Sequence, residues 1–332
     1  MIPVSVVILT YNGGRFITGL LDSLADQSYP RELTEVIVID NASGDGTAEI
    51  AERYPWAQVV RLPRNLGYAG GNALAPALAR HETIAFLNQD VICHRDWLAE
   101  LVAAFQPVVG IGAVASNMVM PGAPEFAARD RHRTFDTVYF EDLSVFGYGC
   151  YRNAPAAGPR PSRIVTGCSF MTSKTIVARL GYLFDVRLWM YVEDTDFSLR
   201  LVSQGFKLRV VPTSIVYHLH EERFRITRGR LRAAARAIMN RVFVFYSSLN
   251  AVEFAIYLPF LLAGGPLKLL ELRMSWPRRI VVALPFALFS LACMIAALPL
   301  APLRFSAKRR QIMANRHVGS LGMLSHLLGL TA

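Results

Sequence analysis

Cysteine is scarce in this chain: Cys93, Cys150, Cys168 and Cys293 are the only four in 332 residues, and no two of them form a C-x-x-C pair. That spacing argues against a zinc site or a thioredoxin-like motif and fits reduced thiols. Acidic residues are scarce in one region only. Residues 1–220 hold 19 Lys/Arg against 21 Asp/Glu, whereas residues 221–332 hold 16 against 4, so the net charge of +10 belongs to the last third. Basic residues there alternate with long apolar runs, which suits an anionic membrane surface and argues against nucleic acid as the partner. The N-terminus lacks a basic leader. Met1–Thr10 is apolar and runs straight into Tyr11-Asn12-Gly13-Gly14, so it is expected to be a buried strand and not a signal peptide. There is no internal repeat, no low-complexity tract and no G-x-G-x-x-G dinucleotide motif.

What is present is apolar. The chain is 53% hydrophobic, with a mean hydropathy of +0.31. Val4–Thr10, Glu35–Asp40, Gln58–Leu62, Thr83–Asn88 and Ile111–Val119 read as strands. Helix-like stretches at Leu20–Ala25, Gly46–Tyr54, Ala69–Arg80 and Asp96–Phe105 separate them. Continuous apolar strands imply cover on both faces, and strand–helix alternation implies an α/β fold with a mostly parallel central sheet and helices on both faces. Residues 120–162 show no period, and a loop over an active site or a surface insertion fits them equally. Strand character returns at Arg163–Thr172, a helix is expected at Thr195–Gln204 with Gly205 as its stop, and Phe206–Val211 and Ser214–Tyr217 read as strands.

Ligands of such sheets bind beyond the carboxyl ends of the strands, so the residues there carry the argument. Thr10-Tyr11-Asn12, Asp40-Asn41 and Asn88-Gln89-Asp90 each follow a strand. Each is also an ordinary turn sequence. Asn65-Leu66-Gly67-Tyr68-Ala69-Gly70-Gly71-Asn72 leads into a helix, where glycines permit close approach and free N–H groups suit a diphosphate. Glu193-Asp194-Thr195-Asp196 opens a helix. One of these carboxylates would serve as a general base, or the cluster is a cap with Asp196 paired to Arg200 one turn on. His218 and His220 share a face after a strand, and an imidazole beside Asp90 would complete a divalent metal site. Trp189 and Tyr191 would stack on a ligand or serve as core aromatics.

Taken together, these stretches resemble glycosyltransferase family 2 enzymes of the GT-A fold, especially the bacterial rhamnosyltransferase-like group. The resemblance covers roughly residues 3–220. It rests on VVILTYN at 6–12, VIVIDNASGDGT at 36–47, RNLGYAGGN at 64–72, FLNQD at 86–90, YVEDTDFSLRL at 191–201 and VVPTSIVYH at 210–218. It implies inverting transfer of a sugar from a nucleotide-sugar donor to a saccharide or lipid-linked saccharide acceptor, with dTDP-rhamnose as first guess for the donor. Thr10, Tyr11, Asn12 and Asp40 would hold nucleobase and ribose. Asn65, Gly70, Gly71 and Asn72 would line the donor pocket, and Asn88-Gln89-Asp90, whose Asn88 and Gln89 would contact the donor, occupies the place of the family's D-x-D motif. Asp90 and His218 would hold Mg²⁺ or Mn²⁺, Asp194 would be the catalytic base, and Glu193 would stand with Trp189 and Tyr191 on the acceptor side. Asn88 departs from the pattern, since it brings no charge where the motif has a carboxylate. No Q-x-x-R-W motif is present, which argues against a processive synthase.

The tail is expected to be separate: a catalytic domain over 1–222 and basic, membrane-associating helices over 223–332. Ile280–Leu303 is a 24-residue uncharged run containing Pro285, Pro299 and Pro302. As a helix it would reach about 36 Å, enough to span a bilayer. Arg278-Arg279 precede it, Arg304, Lys308, Arg309 and Arg310 follow it, and residues 223–241 carry seven arginines. A single crossing would export one basic cluster, so segments lying in or re-entering the cytoplasmic leaflet of a bacterial inner membrane are favoured over a span. A soluble helical subdomain is the other reading. Two further functions remain open: a sugar-nucleotide pyrophosphorylase, which would want a G-x-G-T-R start, and a non-catalytic membrane scaffold with the same fold.

Overall fold

The computed structural model describes residues 1–119, 137–155, 158–219, 228–268 and 276–330. In chain order the first elements are β1 (Val4–Thr10), α1 (Gly14–Ala25), β2 (Thr34–Asp40), α2 (Thr47–Ala51), β3 (Ala57–Arg61), α3 (Gly67–Asn72), α4 (Ala75–Leu78) and β4 (Thr83–Asn88). There follow β5 (Val91–Cys93), α5 (Trp97–Ala104), β6 (Ile111–Val119), β7 (Thr137–Leu143), β8 (Gly149–Pro155), β9 (Arg160–Pro161), β10 (Ser169–Ser173) and α6 (Lys174–Leu180). The last are α7 (Glu193–Ser203), β11 (Lys207–His218), α8 (Arg228–Ser248), α9 (Ala251–Lys268), α10 (Trp276–Ala314) and α11 (Ser320–Leu328). Two compact units result. One comprises Met1–Asp142, Tyr151–Trp189 and Phe206–Arg223, the other Leu143–Cys150, Met190–Gly205 and Phe224–Ala332.

The first unit is built on a nine-stranded sheet in the order β3-β2-β1-β4-β10-β6-β11-β5, with β9 paired to β11. The expectation of a mostly parallel sheet needs correction, because the sheet is mixed. β3, β2, β1 and β4 are parallel neighbours, as are β6 and β11, but β10 runs antiparallel to both β4 and β6, and β5 and β9 run antiparallel to β11. Val4, Val6, Val7 and Ile8 of β1, with Ile37, Val38 and Ile39 of β2, are wholly buried. Each such side chain contributes about 1.5–3 kcal/mol of burial, which fixes the register of the central strands. Phe86 of β4 and Phe170 of β10 stack at 4.5 Å and join the parallel half to the antiparallel strand. Trp97 of α5 donates its indole N–H to Ser116 Oγ and Ser169 Oγ, at 3.0 and 2.9 Å, which locks that helix on the sheet.

β11 forms one strand where two were expected. Its register against β6 slips between Val211 and Ile215, around Pro212, which has no N–H to give the ladder. The expected helix at Ala69–Arg80 is two short helices, broken where Pro76 enters the first turn of α4. The strand expected over Arg163–Thr172 is confined to Ser169–Ser173. Within the stretch without periodicity, β7 and β8 pair as a separate two-stranded sheet; residues 120–136 and 156–157, like His220, lie outside the described residues.

The second unit is helical. Phe243 of α8 stacks on Phe305 of α10 at 4.9 Å, and Phe245 of α8 stacks on Tyr257 of α9 at 5.0 Å. α10 continues through Pro285, Pro299 and Pro302. Ser290, Met294, Ala297, Ala301, Phe305, Lys308 and Ile312 are buried, spaced three or four residues apart, and so form one stripe. Leu288, Ile295 and Leu303 are exposed on other faces, at 60, 56 and 81%. The segment Pro285–Ala314 is long and apolar enough to cross a membrane.

Candidate functional site

β1, β2 and β4 are neighbours in register, with Thr10 opposite Asp40 and Leu9 opposite Asn88. β11 points the same way, because two antiparallel steps through β10 and one parallel step from β6 restore the direction. Thr10, Asp40, Asn88 and His218 therefore lie at the same edge of the sheet, where the sequence placed the first unit's site.

Gln89 organises the first loop. Its Oε1 accepts from Thr10 Oγ1 at 2.7 Å and from the Tyr11 N–H at 2.8 Å, while its Nε2 donates to the Tyr11 carbonyl at 3.2 Å. Gly13 makes this possible: a Cβ there would stand 2.3 Å from Gln89 Oε1 and 2.7 Å from Thr10 Oγ1. The Tyr11 ring remains 46% exposed. Asn12 has φ 49°, a left-handed conformation that asparagine tolerates. Its Oδ1 accepts from the Gly44 N–H at 2.9 Å and its own N–H donates to Ser43 Oγ at 2.9 Å, tying the loop after β1 to the loop after β2.

Asp40 is 4% exposed. Its Oδ2 accepts from the Ser43 N–H at 3.1 Å, whereas its Oδ1 is buried with no hydrogen-bond partner. Asn88 Oδ1 is in the same condition. Buried acceptors without donors cost about 1–3 kcal/mol each, and these two stand at the same end of the sheet, on β2 and β4 either side of β1.

Asn41, which the sequence offers only as a strand-end turn residue, braces the neighbouring loop. Its Nδ2 donates to Asn65 Oδ1 at 3.1 Å and to the Gly67 carbonyl at 3.2 Å, and its Oδ1 accepts from the Leu66 N–H at 2.8 Å. Asn65 Oδ1 also accepts from the Gly67 N–H at 2.7 Å. Asn65 thus shapes the turn into α3. A strand-end Asn looks the same in sequence whether it merely turns the chain or braces a neighbouring loop, so the only signal was its place after Asp40. Gly67 has φ +74°, and a Cβ on it would lie 2.5 Å from the Trp189 carbonyl and 2.6 Å from its ring. The Trp189 carbonyl accepts from the Ala69 N–H at 3.0 Å, and the ring is partly exposed. Gly71 faces inward, with a Cβ there meeting Leu9 Cδ1 at 2.3 Å, and Asn72 is buried with Nδ2 donating to the Tyr68 carbonyl at 3.1 Å. Gly70 is buried as well, and a Cβ on it would meet Leu66 Cβ at 3.0 Å. These residues set how closely α3 seats on β1.

Asp90 and His218 meet. Asp90 Oδ1 is 3.3 Å from His218 Nε2, with each side chain 15% exposed. The Asp90 carbonyl also accepts from the Leu219 N–H at 2.7 Å. Among the described residues no group of three or more His, Cys, Asp or Glu gathers as a metal site.

In the second unit, Glu193, Asp194 and Asp196 occupy the first turn of α7. Tyr191 and Val192, just before it, hold left-handed conformations with φ 74° and 71°, and Trp189 has φ 63°. Such backbone persists only where its surroundings hold it. Glu193 is 6% exposed with Oε2 unpartnered. Burial first, then the neighbouring Asp194 and Asp196 charges, push its carboxyl up to about 8. Asp194 is half-buried, and its Oδ1 accepts from the Thr195 N–H at 2.6 Å. Asp196 is fully buried and pairs with Arg200 at 2.9 Å, as the spacing anticipated, and with Lys308 of α10 at 2.5 Å, which it did not.

Comparison with known proteins identifies the family. Residues 5–178 match the family model described as glycosyl transferase family 2. A probable glycosyltransferase of Bacillus subtilis, YdaM, is 25% identical over 236 residues, covering 67% of this chain and 52% of that protein. An N-acetylglucosaminyl-diphospho-decaprenol L-rhamnosyltransferase of Mycobacterium tuberculosis is 25% identical over 236 residues, covering 64% of this chain and 75% of the relative. The mannosyltransferase PcManGT of Pyrobaculum calidifontis, solved with GDP-Man and Mn²⁺, superposes with a TM-score of 0.53 at 21% identity, over 95% of this chain and 79% of the other. The chain thus spans about half the length of the first of these relatives. On a family match covering more than half of its residues, this chain belongs to glycosyl transferase family 2.

Proposed function

We propose that the chain transfers a sugar, with inversion, from a nucleotide-sugar donor to a hydroxyl of a saccharide or lipid-linked saccharide acceptor at a membrane surface. The observation that carries this is the end of the sheet where the orphaned oxygens of Asp40 and Asn88 and the Asp90–His218 pair all lie, in a family 2 chain. Asp40 would take the ribose hydroxyls, and the exposed Tyr11 ring would stack on the base. The Gly67 and Ala69 N–H groups are taken by Asn65 Oδ1 and the Trp189 carbonyl, so the start of α3 does not offer the free donors expected for a diphosphate. A hard carboxylate and an imidazole suit Mn²⁺ or Mg²⁺, and a pair is a sufficient protein share for a cation that also binds donor phosphates and water. When bound, such a cation would offset the charge that builds on the departing diphosphate. Asp194 would accept the proton from the acceptor hydroxyl as that oxygen attacks the anomeric carbon. Trp189 and Tyr191 would hold the acceptor sugar.

dTDP-rhamnose is the first donor to try, supported by the rhamnosyltransferase relative. α10 and the basic residues around it favour attachment to the cytoplasmic leaflet, where nucleotide sugars are available. Hydrolysis of dTDP-rhamnose, UDP-GlcNAc and GDP-mannose, each with Mn²⁺ and with EDTA, tests the proposal. At least one donor should be cleaved only with the metal; a scaffold would cleave none.

A further inference from the structure

α7 is held at three places by the C-terminal segment: by α8, by α10 and by the loop after α10. Asn240 of α8 donates through Nδ2 to the carbonyls of Met190 and Tyr191, both at 3.0 Å, gripping the left-handed approach to the acidic turn. At the far end, the N–H groups of His317 and Val318 donate to the Ser203 carbonyl at 2.8 and 3.1 Å. Between them, Lys308 Nζ reaches Asp196 Oδ1, with the lysine side chain 2% exposed and the aspartate 0%. Arg200 takes the other oxygen of the same carboxylate.

A lysine this deep pays heavy desolvation, and replacing such a pair with apolar groups is often neutral or stabilising. Stability alone is therefore a poor reason for it. What the pair does fix is orientation. Asp196 is two residues from Asp194 on the same helical turn, so a carboxylate gripped from both sides by Arg200 and Lys308 sets the rotation of that turn. We infer that Lys308, a residue of the apolar tail helix, is a positioning residue for the Glu193–Asp194 turn, with Asn240 serving the strained segment before it. The tail then completes the acidic turn of the transferase as well as attaching it to a membrane. This inference rests on the reading of Asp194 as base.

The test compares the full-length wild-type chain with Lys308→Met and with the double variant Asp196→Asn/Lys308→Met. The double variant removes one charge of each sign and so leaves the net charge of the Asp196–Arg200–Lys308 group unchanged. The probes are the three nucleotide sugars above with Mn²⁺, together with hydrogen exchange over residues 190–200. Lys308→Met should lower kcat about 10- to 100-fold, the scale of a small misplacement of a reacting group, with donor KM within about 2-fold. Exchange at the acidic turn should rise while β1 and β4 stay protected. The double variant leaves Arg200 buried against an amide, so it should melt below Lys308→Met, and its kcat per folded molecule should stay low. Wild-type turnover per folded molecule in either variant overturns the inference, as does a fall in kcat that merely tracks the folded fraction. A wild-type chain that cleaves no donor overturns the transferase reading and the inference with it, a result distinct from an active wild type with an equally active Lys308→Met.

Discussion

His218 Nε2 stands 3.3 Å from Asp90 Oδ1 because β5 folds back antiparallel on β11. That pairing sets Val91 opposite His218, so Asp90 immediately before it arrives beside the imidazole. Removing either group should weaken Mn²⁺ binding in the presence of a nucleoside diphosphate. Loss of a charged or strongly bonding ligand is worth about 1.5–3 kcal/mol, or roughly 10- to 100-fold in affinity. Titration of Asp90→Asn and His218→Ala, following the free Mn²⁺ resonance signal, checks this.

Gly13 tests the Gln89 clamp. Its φ of −103° is open to any residue, so Gly13→Ala acts through the added methyl alone, aimed at Gln89 Oε1 and Thr10 Oγ1. Overpacking of this kind costs about 1–3 kcal/mol. The melting temperature should fall, and nucleotide affinity should fall further than in Gly44→Ala, where an added Cβ meets nothing within 4 Å.

Glu193 makes stability depend on pH. Its carboxyl moves from an ordinary 4.5 up to about 8, chiefly through burial and then through Asp194 and Asp196. Between those values the folded chain keeps a proton that the unfolded chain has released, so stability falls as pH rises. The contribution is complete below 4.5 and gone above 8. It amounts to a few kcal/mol in order of magnitude. Urea unfolding at pH 5, 6.5 and 8 should show this slope in the wild type and a flatter one in Glu193→Gln.

The exposed face of α10 should carry membrane attachment. Ile295 and Leu303 are 56 and 81% exposed, so Ile295→Asp and Leu303→Asp should leave the melting temperature within about 1 °C, as surface changes do. Both should reduce sedimentation with vesicles of mixed anionic and neutral phospholipid. Alkaline carbonate extraction separates peripheral from integral attachment.

How far the sequence is legible depends on where the information sits. Val4–Thr10, Thr83–Asn88 and Ile111–Val119 are read to the residue, because strands buried on both faces are predominantly apolar and lack strict alternation. The reversed direction of β10 is not legible, since its Ser169–Ser173 reads the same either way along the sheet and its partners are set by distant chain. Thr10, Asp40 and Asp90 declare themselves as polar residues after buried strands. Asn41, Asn240 and Lys308 do not: an asparagine bracing a turn, or a lysine in a basic tail, acquires meaning only from the distant carbonyl or carboxylate it meets.

The most direct measurement is donor turnover by Asp194→Asn beside its binding of Mn²⁺ and nucleoside diphosphate. Hydrolysis and transfer should disappear while binding stays at the wild-type level. Undiminished turnover, or lost nucleotide binding in a folded variant, would contradict Asp194 as the base.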